Sequence, residues 1–407
     1  MGKTSVHVRL RGARRAMKLL SWAVCFALVA ASCVADDTDA NSRSSWSISR
    51  EATVEIGLGG GPSYEFHRVV GIGILPNSNI VVADAGSQEL RIFSDMGQIV
   101  RSFGGPGDGP GEFRNISGIR IVDDSIFVSE SFPAAPKIHV FDAQRGFLAQ
   151  QPLRPQDQPS GVAPYDILSS TTVVVVPGRG LRIVATPPRE GIVRRDSLKL
   201  GVLEVGKEQH VTWLGLFPNN SWYSYPLPPG SSVSRSMARY SLGPSLVVRT
   251  SGHKIWIGDS GTGDIGLWDP ARGAQDTTVS FPQGPRGFDQ PMLRRAMNEA
   301  RTNTSLSDPA APARIEELYS DRLLPATAPR FTRFTPGPDG EMWIECFSEI
   351  PTEEHCVFAF DERGRVSGDA MVPAGVQIEA VDADRIIGVR RRSYGMETVV
   401  VHRLIRH

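Results

Sequence analysis

Four times in this chain a run of alternating apolar residues is followed by a second such run and then by a glycine. The first copy is Ile80-Val81-Val82-Ala83-Asp84, Leu90-Arg91-Ile92-Phe93 and Gly97; the second is Ile126-Phe127-Val128-Ser129-Glu130, Ile138-His139-Val140-Phe141-Asp142 and Gly146. The third is Ile255-Trp256-Ile257-Gly258-Asp259, Ile265-Gly266-Leu267-Trp268-Asp269 and Gly273; the fourth is Met342-Trp343-Ile344-Glu345-Cys346, Val357-Phe358-Ala359-Phe360-Asp361 and Gly364. Alternation with period two marks strands with unlike faces. A module this small cannot bury its own apolar face, so it must stack on copies of itself, as propellers and solenoids do. The glycine after each second run fits a tight turn into an outer strand, because glycine takes positive φ at little cost.

The spacing sets the number of copies. Asp84 and Glu130 are 46 residues apart, and Asp259 and Cys346 are 87 apart, one module plus an insertion. The 129 residues from Glu130 to Asp259 leave room for one or two divergent modules, one of them holding Thr171-Thr172-Val173-Val174-Val175-Val176. Arg385-Ile386-Ile387-Gly388-Val389 and Thr398-Val399-Val400-Val401-His402 form the last. The best count is six, with room for seven. Ala52-Thr53-Val54-Glu55-Ile56 belongs to no complete module and is expected to pair with Thr398 to His402, closing the ring and removing an open edge. Between residues 288 and 324 the period changes. Met292, Leu293, Ala296, Met297 and Ala300, and later Ile315, Leu318 and Tyr319, fall at helical steps, with Pro291 suited to a first turn. This insertion reads as a capping hairpin on one face of the ring or as a lid over its channel.

Charge is unevenly placed. Residues 1–33 hold six of the 44 basic residues and none of the 44 acidic ones, so the remainder is acidic by six charges. Such a balance disfavours nucleic-acid binding. The basic stretch precedes an apolar run, Leu19 to Ser32, too short for a membrane span and suited to an export signal. It ends at Ala30-Ala31-Ser32-Cys33, which resembles a bacterial lipoprotein box with Ala30 where leucine is usual. Residues 1–33 are therefore read as a signal peptide with Cys33 as the lipidation site, 34–45 as a flexible tether and 46–407 as the folded domain. Ordinary cleavage, giving a periplasmic protein, is the alternative. Cys346 and Cys356 lie on successive strands and suit a hairpin disulfide in an oxidising compartment, against two buried free thiols.

The segment Arg101-Ser102-Phe103-Gly104-Gly105-Pro106-Gly107-Asp108-Gly109-Pro110-Gly111-Glu112-Phe113 carries a resemblance. It lacks the Gly-Lys-Ser/Thr of a phosphate loop, and it resembles the blade-to-blade segment of NHL-repeat propellers. More closely, it is similar to the exported bacterial six-bladed β-propeller proteins related to them, strongly over residues 50–155 and moderately over 325–405. The resemblance implies an all-β, six-bladed propeller on a lipoprotein or secreted chain, and no single activity. Rings of the NHL type mostly bind partners, whereas some similar rings are lactonases, esterases or lyases.

Two groups of residues are candidates for function. Asp84, Glu130 and Asp259 end equivalent strands, and a ring of carboxylates at the channel mouth could hold Ca²⁺ for a metal-dependent hydrolase or lyase. The plainer reading is that they accept backbone N–H bonds and fix turns. Trp222, Tyr223 and Tyr225, with Pro226, Pro228 and Pro229, form an aromatic-proline stretch suited to peptide or sugar recognition if exposed. There is no Gly-x-Ser-x-Gly elbow and no His-Glu-x-x-His. The sequence thus reads as a monomeric, non-catalytic binding propeller of the cell envelope. It needs no cofactor, its partner is an envelope protein, peptide or glycan, and it meets the membrane only through a lipid.

Overall fold

A computed structural model describes residues 44–407, apart from 60, 132–133, 159, 179–191, 207, 227–234, 303–310, 351 and 392–395. The signal-like segment with Cys33, the tether up to residue 43, and Pro228 and Pro229 lie outside the described residues. The strands form six sheets, four from one stretch of chain each and the last two completed by strands of residues 44–56: residues 69–104, 116–152, 162–239, 246–280, 331–372 and 376–405. The first strands of these sheets, Val69–Ile74, Ile116–Val122, Val162–Ile167, Leu246–Ser251, Phe331–Pro336 and Val376–Val381, touch one another in a closed cycle. The fold is therefore an all-β, six-bladed propeller, with these six strands around a central channel.

The core lies between blades. Six apolar clusters each join one blade to the next, as Val174, Val176 and Leu200 of blade three meet Leu246, Val248 and Ile257 of blade four. Six sandwiches around one closed ring leave no seventh blade among the described residues. The inner strands approach closely: a Cβ on Gly71 would meet Ile119 at 2.6 Å and one on Gly73 would meet Ile121 at 2.5 Å. Glycine is required there because blade two inserts its isoleucines against the backbone of blade one.

Both ends of the described chain close the ring. Val54–Ile56 completes blade six antiparallel to Glu397–Ile405, with Ile56 opposite Val399 and Val54 opposite Val401. Ser47–Ile48 pairs further along the same strand, and Ser44–Ser45 runs parallel to Val366–Val372 of blade five. Strand pairing thus takes in the last two residues of the expected tether, Ser44 and Ser45. Trp46, between these pairs, packs tilted against Trp343 with ring centres 5.4 Å apart, and the Arg406 guanidinium lies 4.8 Å from the Trp46 ring. Gly368 makes room for that ring, since a Cβ there would sit 2.4 Å from it.

The long interval between Glu130 and Asp259 holds one blade, not two. Val193–Glu204 and Val211–Pro226 pair over most of their length, from Val193 opposite Tyr223 to Leu203 opposite Val211. The preceding strand, Thr172–Pro177, covers only Gly201 to Glu204. The other half of the hairpin extends past the blade and takes Arg235–Arg239 as a further strand. The insertion between blades four and five forms two helices, α1 (Gln290–Thr302) and α2 (Ala311–Leu318). Asp289 accepts the Met292 N–H and caps α1. Leu293, Ala296 and Ile315 are buried, and Leu293 packs with Tyr223, Tyr240 and Phe347. The insertion is a cap seated on the blade-three extension and a blade-five loop.

Candidate functional site

Antiparallel order places two kinds of loop at opposite ends of the ring. The turns joining first and second strands lie at one end; the blade-to-blade connections and second-to-third loops lie at the other. Asp84, Glu130 and Asp259 end second strands, at the connection end. Asp84 is fully buried and accepts N–H bonds from His67, Arg68 and Gly86 and the hydroxyl of Ser87. Burial pushes its carboxyl up, but these donors outweigh burial and hold it below the usual range. Glu130 accepts from the Arg114 and Asn115 amides, and its other oxygen meets His139 at 2.8 Å and Lys137 at 3.0 Å. Burial opposes its ionisation, yet His139, the amides and Lys137 bring it down to about 2.

Asp259 accepts the Gly261 N–H and a two-pronged contact from Arg195 of the blade-three extension at 2.8 and 3.0 Å. In blade five the position is Cys346, which forms a disulfide with Cys356 across the same loop, with Cα atoms 5.3 Å apart. In blade six Arg391 binds Glu397, which also accepts the Val69 N–H of blade one. Five blades thus tie the end of the second strand by five different contacts. The three acids do not converge into a shared cation site, because each carboxylate is occupied by donors of its own blade or, for Asp259, of its neighbour. Among the described residues no three His, Cys, Asp or Glu side chains group so as to hold a metal ion.

The aromatic stretch is a strand rather than a loop. Trp222, Tyr223 and Tyr225 pair with Arg239, Ala238 and Ser236. Tyr223 is buried, donates its hydroxyl to Glu317 of α2, and stacks with Tyr225, over whose ring the Arg314 guanidinium lies at 4.8 Å. Alternation turns Trp222 to the opposite face, where it is half-buried. Tyr223 and Tyr225 therefore hold the cap to the extension instead of standing open to a partner.

The open space is elsewhere. A cavity of about 490 Å³ runs along the channel and reaches the end formed by the first-to-second turns, touching Pro76, Asp123, Pro338 and Asp382. No described residue of the insertion lines it. Pairing registers place Arg120 opposite Phe127, Asp166 opposite Val174 and Arg249 opposite Trp256. Each partner lies three residues before the end of its second strand, so the three side chains occupy one level on three successive blades. The corresponding residue of blade one is Gly73, opposite Val81.

These groups differ in how far their bonding is satisfied. Asp166 accepts the Thr250 amide at 2.7 Å, the Thr250 hydroxyl at 3.1 Å and its neighbour's amide at 2.9 Å. Arg120 reaches across from blade two to donate to the Thr250 carbonyl at 2.8 Å, and Arg249 donates to the Val248 carbonyl at 3.1 Å. A guanidinium has five N–H donors. Neither makes an ion pair with a described carboxylate, whereas Arg333 nearby is paired with Glu379 at 2.8 Å. Burial lowers Arg120 against the pull of Asp166, with Arg249 adding to the lowering; burial raises the Tyr165 phenol beside them. No local motif in the sequence marks this level. Its signal is a charged residue inside an apolar first strand, as in Ile119-Arg120-Ile121 and Val247-Val248-Arg249.

Residues 63–154, which span the first two blades, match a family model described as a 6-bladed beta-propeller. No curated protein matches the chain in sequence. Solved structures similar to it include a member of the DUF4221 family from Bacteroides vulgatus, at 9% identity and TM-score 0.49, covering 90% of this chain and 100% of that one. Another is a protein described as exported, from Bacteroides fragilis, at 14% identity and TM-score 0.46, covering 91% and 97%. A third is virginiamycin B lyase from Staphylococcus aureus, at 12% identity and TM-score 0.41, covering 86% and 98%. At these scores they carry no argument about activity, and the fold rests on the six sheets themselves. No helix among the described residues is long and apolar enough to cross a membrane.

Proposed function

We propose that this chain is an exported, non-catalytic binding propeller of the bacterial cell envelope, with its ligand held in the central channel. The observation that carries the reading is the cavity of about 490 Å³, walled by six inner strands and lined by Arg120 and Arg249, whose donors are largely unspent. Its volume is that of a small-ligand pocket, and walls of closed sheet need no rearrangement to receive one. The Cys346–Cys356 disulfide supports export, because such bonds persist in oxidising compartments. The apolar segment ahead of Cys33 supports it independently, with Cys33 as the lipidated residue. The ligand is an envelope protein, peptide or glycan that enters the channel from the first-to-second-turn end.

The test is a thermal-shift panel of envelope peptides, oligosaccharides and muropeptides on the mature chain, with each stabilising compound recovered and examined by mass spectrometry. A compound that stabilises the chain and returns unaltered is the expected result. Turnover of a lactone, ester or glycan, abolished by chelation, would overturn the binding reading in favour of a metal-dependent hydrolase or lyase.

A further inference from the structure

We propose that the part of the ligand entering the channel is a single compact anionic group, a carboxylate or phosphate, received between Arg120 and Arg249. This rests on the channel being the ligand site. The level shared by blades two, three and four reads Arg120, Asp166, Arg249. Two guanidiniums face one carboxylate there, so one positive charge is left over. Asp166 cannot turn toward either arginine without giving up the three bonds it accepts. Its charge is held against the Thr250 backbone and hydroxyl.

The other carboxylates lining the cavity do not offset the remainder. Glu379 is engaged by Arg333 and Gln377, and Asp382 by Arg385 at 3.2 Å. Asp123 stands exposed at the mouth, where water screens it. Inside the channel the effective dielectric is lower, so an unneutralised guanidinium attracts an anion more strongly than it would at a surface. Arginine's planar fork matches the oxygens of a carboxylate or phosphate. Tyr165, half-buried in the cavity wall, adds a phenolic donor. Gly73, at the same level on blade one, is covered by Ile121 of blade two, so blade one brings no charged group to this level.

The experiment is isothermal titration of the mature chain with inorganic phosphate and with succinate, with sodium chloride at matched ionic strength as the control. Wild type, Arg249→Gln, Arg120→Gln and the surface variant Arg365→Gln are compared. Saturable binding of one or both anions, weakened about tenfold or more in Arg249→Gln and unchanged in Arg365→Gln, is expected. The stronger of the two anions then identifies the group. Binding equal in all four proteins, or heat that chloride reproduces, would overturn the inference. Where Arg120→Gln fails to fold, Arg249→Gln carries the comparison, with its unliganded melting temperature as the check. A neutral oligosaccharide that binds wild type and Arg249→Gln alike would sink the anion inference and leave the binding reading standing. If no compound of either kind binds, both fail.

Discussion

Replacing Glu130 by glutamine should weaken the fold by an amount that depends on pH in a particular direction. The carboxylate is completely buried and has two amide donors, a histidine and a lysine around it. Its folded pKa of about 2 lies below the ordinary 4.5. The difference is worth roughly 3 kcal/mol at 1.36 kcal/mol per unit. Because the folded value is depressed, this stability is fully present above pH 4.5 and is lost as pH falls toward 2. Glu130→Gln should therefore be roughly 3 kcal/mol less stable than wild type at pH 7, and the gap should close across that window. Urea unfolding followed by tryptophan fluorescence at pH 7, 4 and 2.5 measures it. A variant as stable as wild type at pH 7, or a gap that stays constant down to pH 2.5, would refute the assignment of Glu130 to the fold.

Three other outcomes follow from the same geometry. Replacing Cys346 and Cys356 together by serine should cost about 2–3 kcal/mol under oxidising conditions, from the short loop they close; equal urea midpoints would contradict this. Truncation to residue 43 should leave the melting temperature unchanged, whereas truncation through Gly57 should lower it sharply, because the second removes Trp46 and the Val54–Ile56 strand. Burial lowers His355, but its 2.8 Å contact with Glu345 prevails and raises it. The contact's contribution is then fully present below about pH 6.5 and fades as pH rises through the raised value, so the stability gap to Glu345→Gln should narrow from pH 6 to pH 9.

The ring was legible because its signals are local. Period-two runs, recurring glycines and an orphan strand at 52–56 are each visible within a dozen residues, and Gly97, Gly146, Gly273 and Gly364 all take positive φ, from 59° to 85°. The helical insertion was legible for the same reason. Blade three was harder to read because its hairpin outgrows the blade, so its length mimicked two modules. The aromatics at 222–225 suggested an open loop, since nothing nearby in sequence announces that α2 will cover Tyr223 from 94 residues away. The level formed by Arg120, Asp166 and Arg249 was invisible for a related reason. Its members are far apart in the chain, and only strand register brings them to one height. Asp84 and Glu130 drew attention because their repetition is conspicuous, and repetition is what a shared structural duty produces.

Under the proposed function, labour is divided: the acids at the connection end serve the fold and the arginines of the channel receive the ligand. Crystals of the mature chain soaked in selenate, with diffraction recorded at the selenium edge, test it most directly. An anomalous peak within hydrogen-bonding distance of Arg120 and Arg249, absent in Arg249→Gln crystals, is the expected result. Selenate found only at the cap or elsewhere on the surface, with the channel empty of signal, would contradict it.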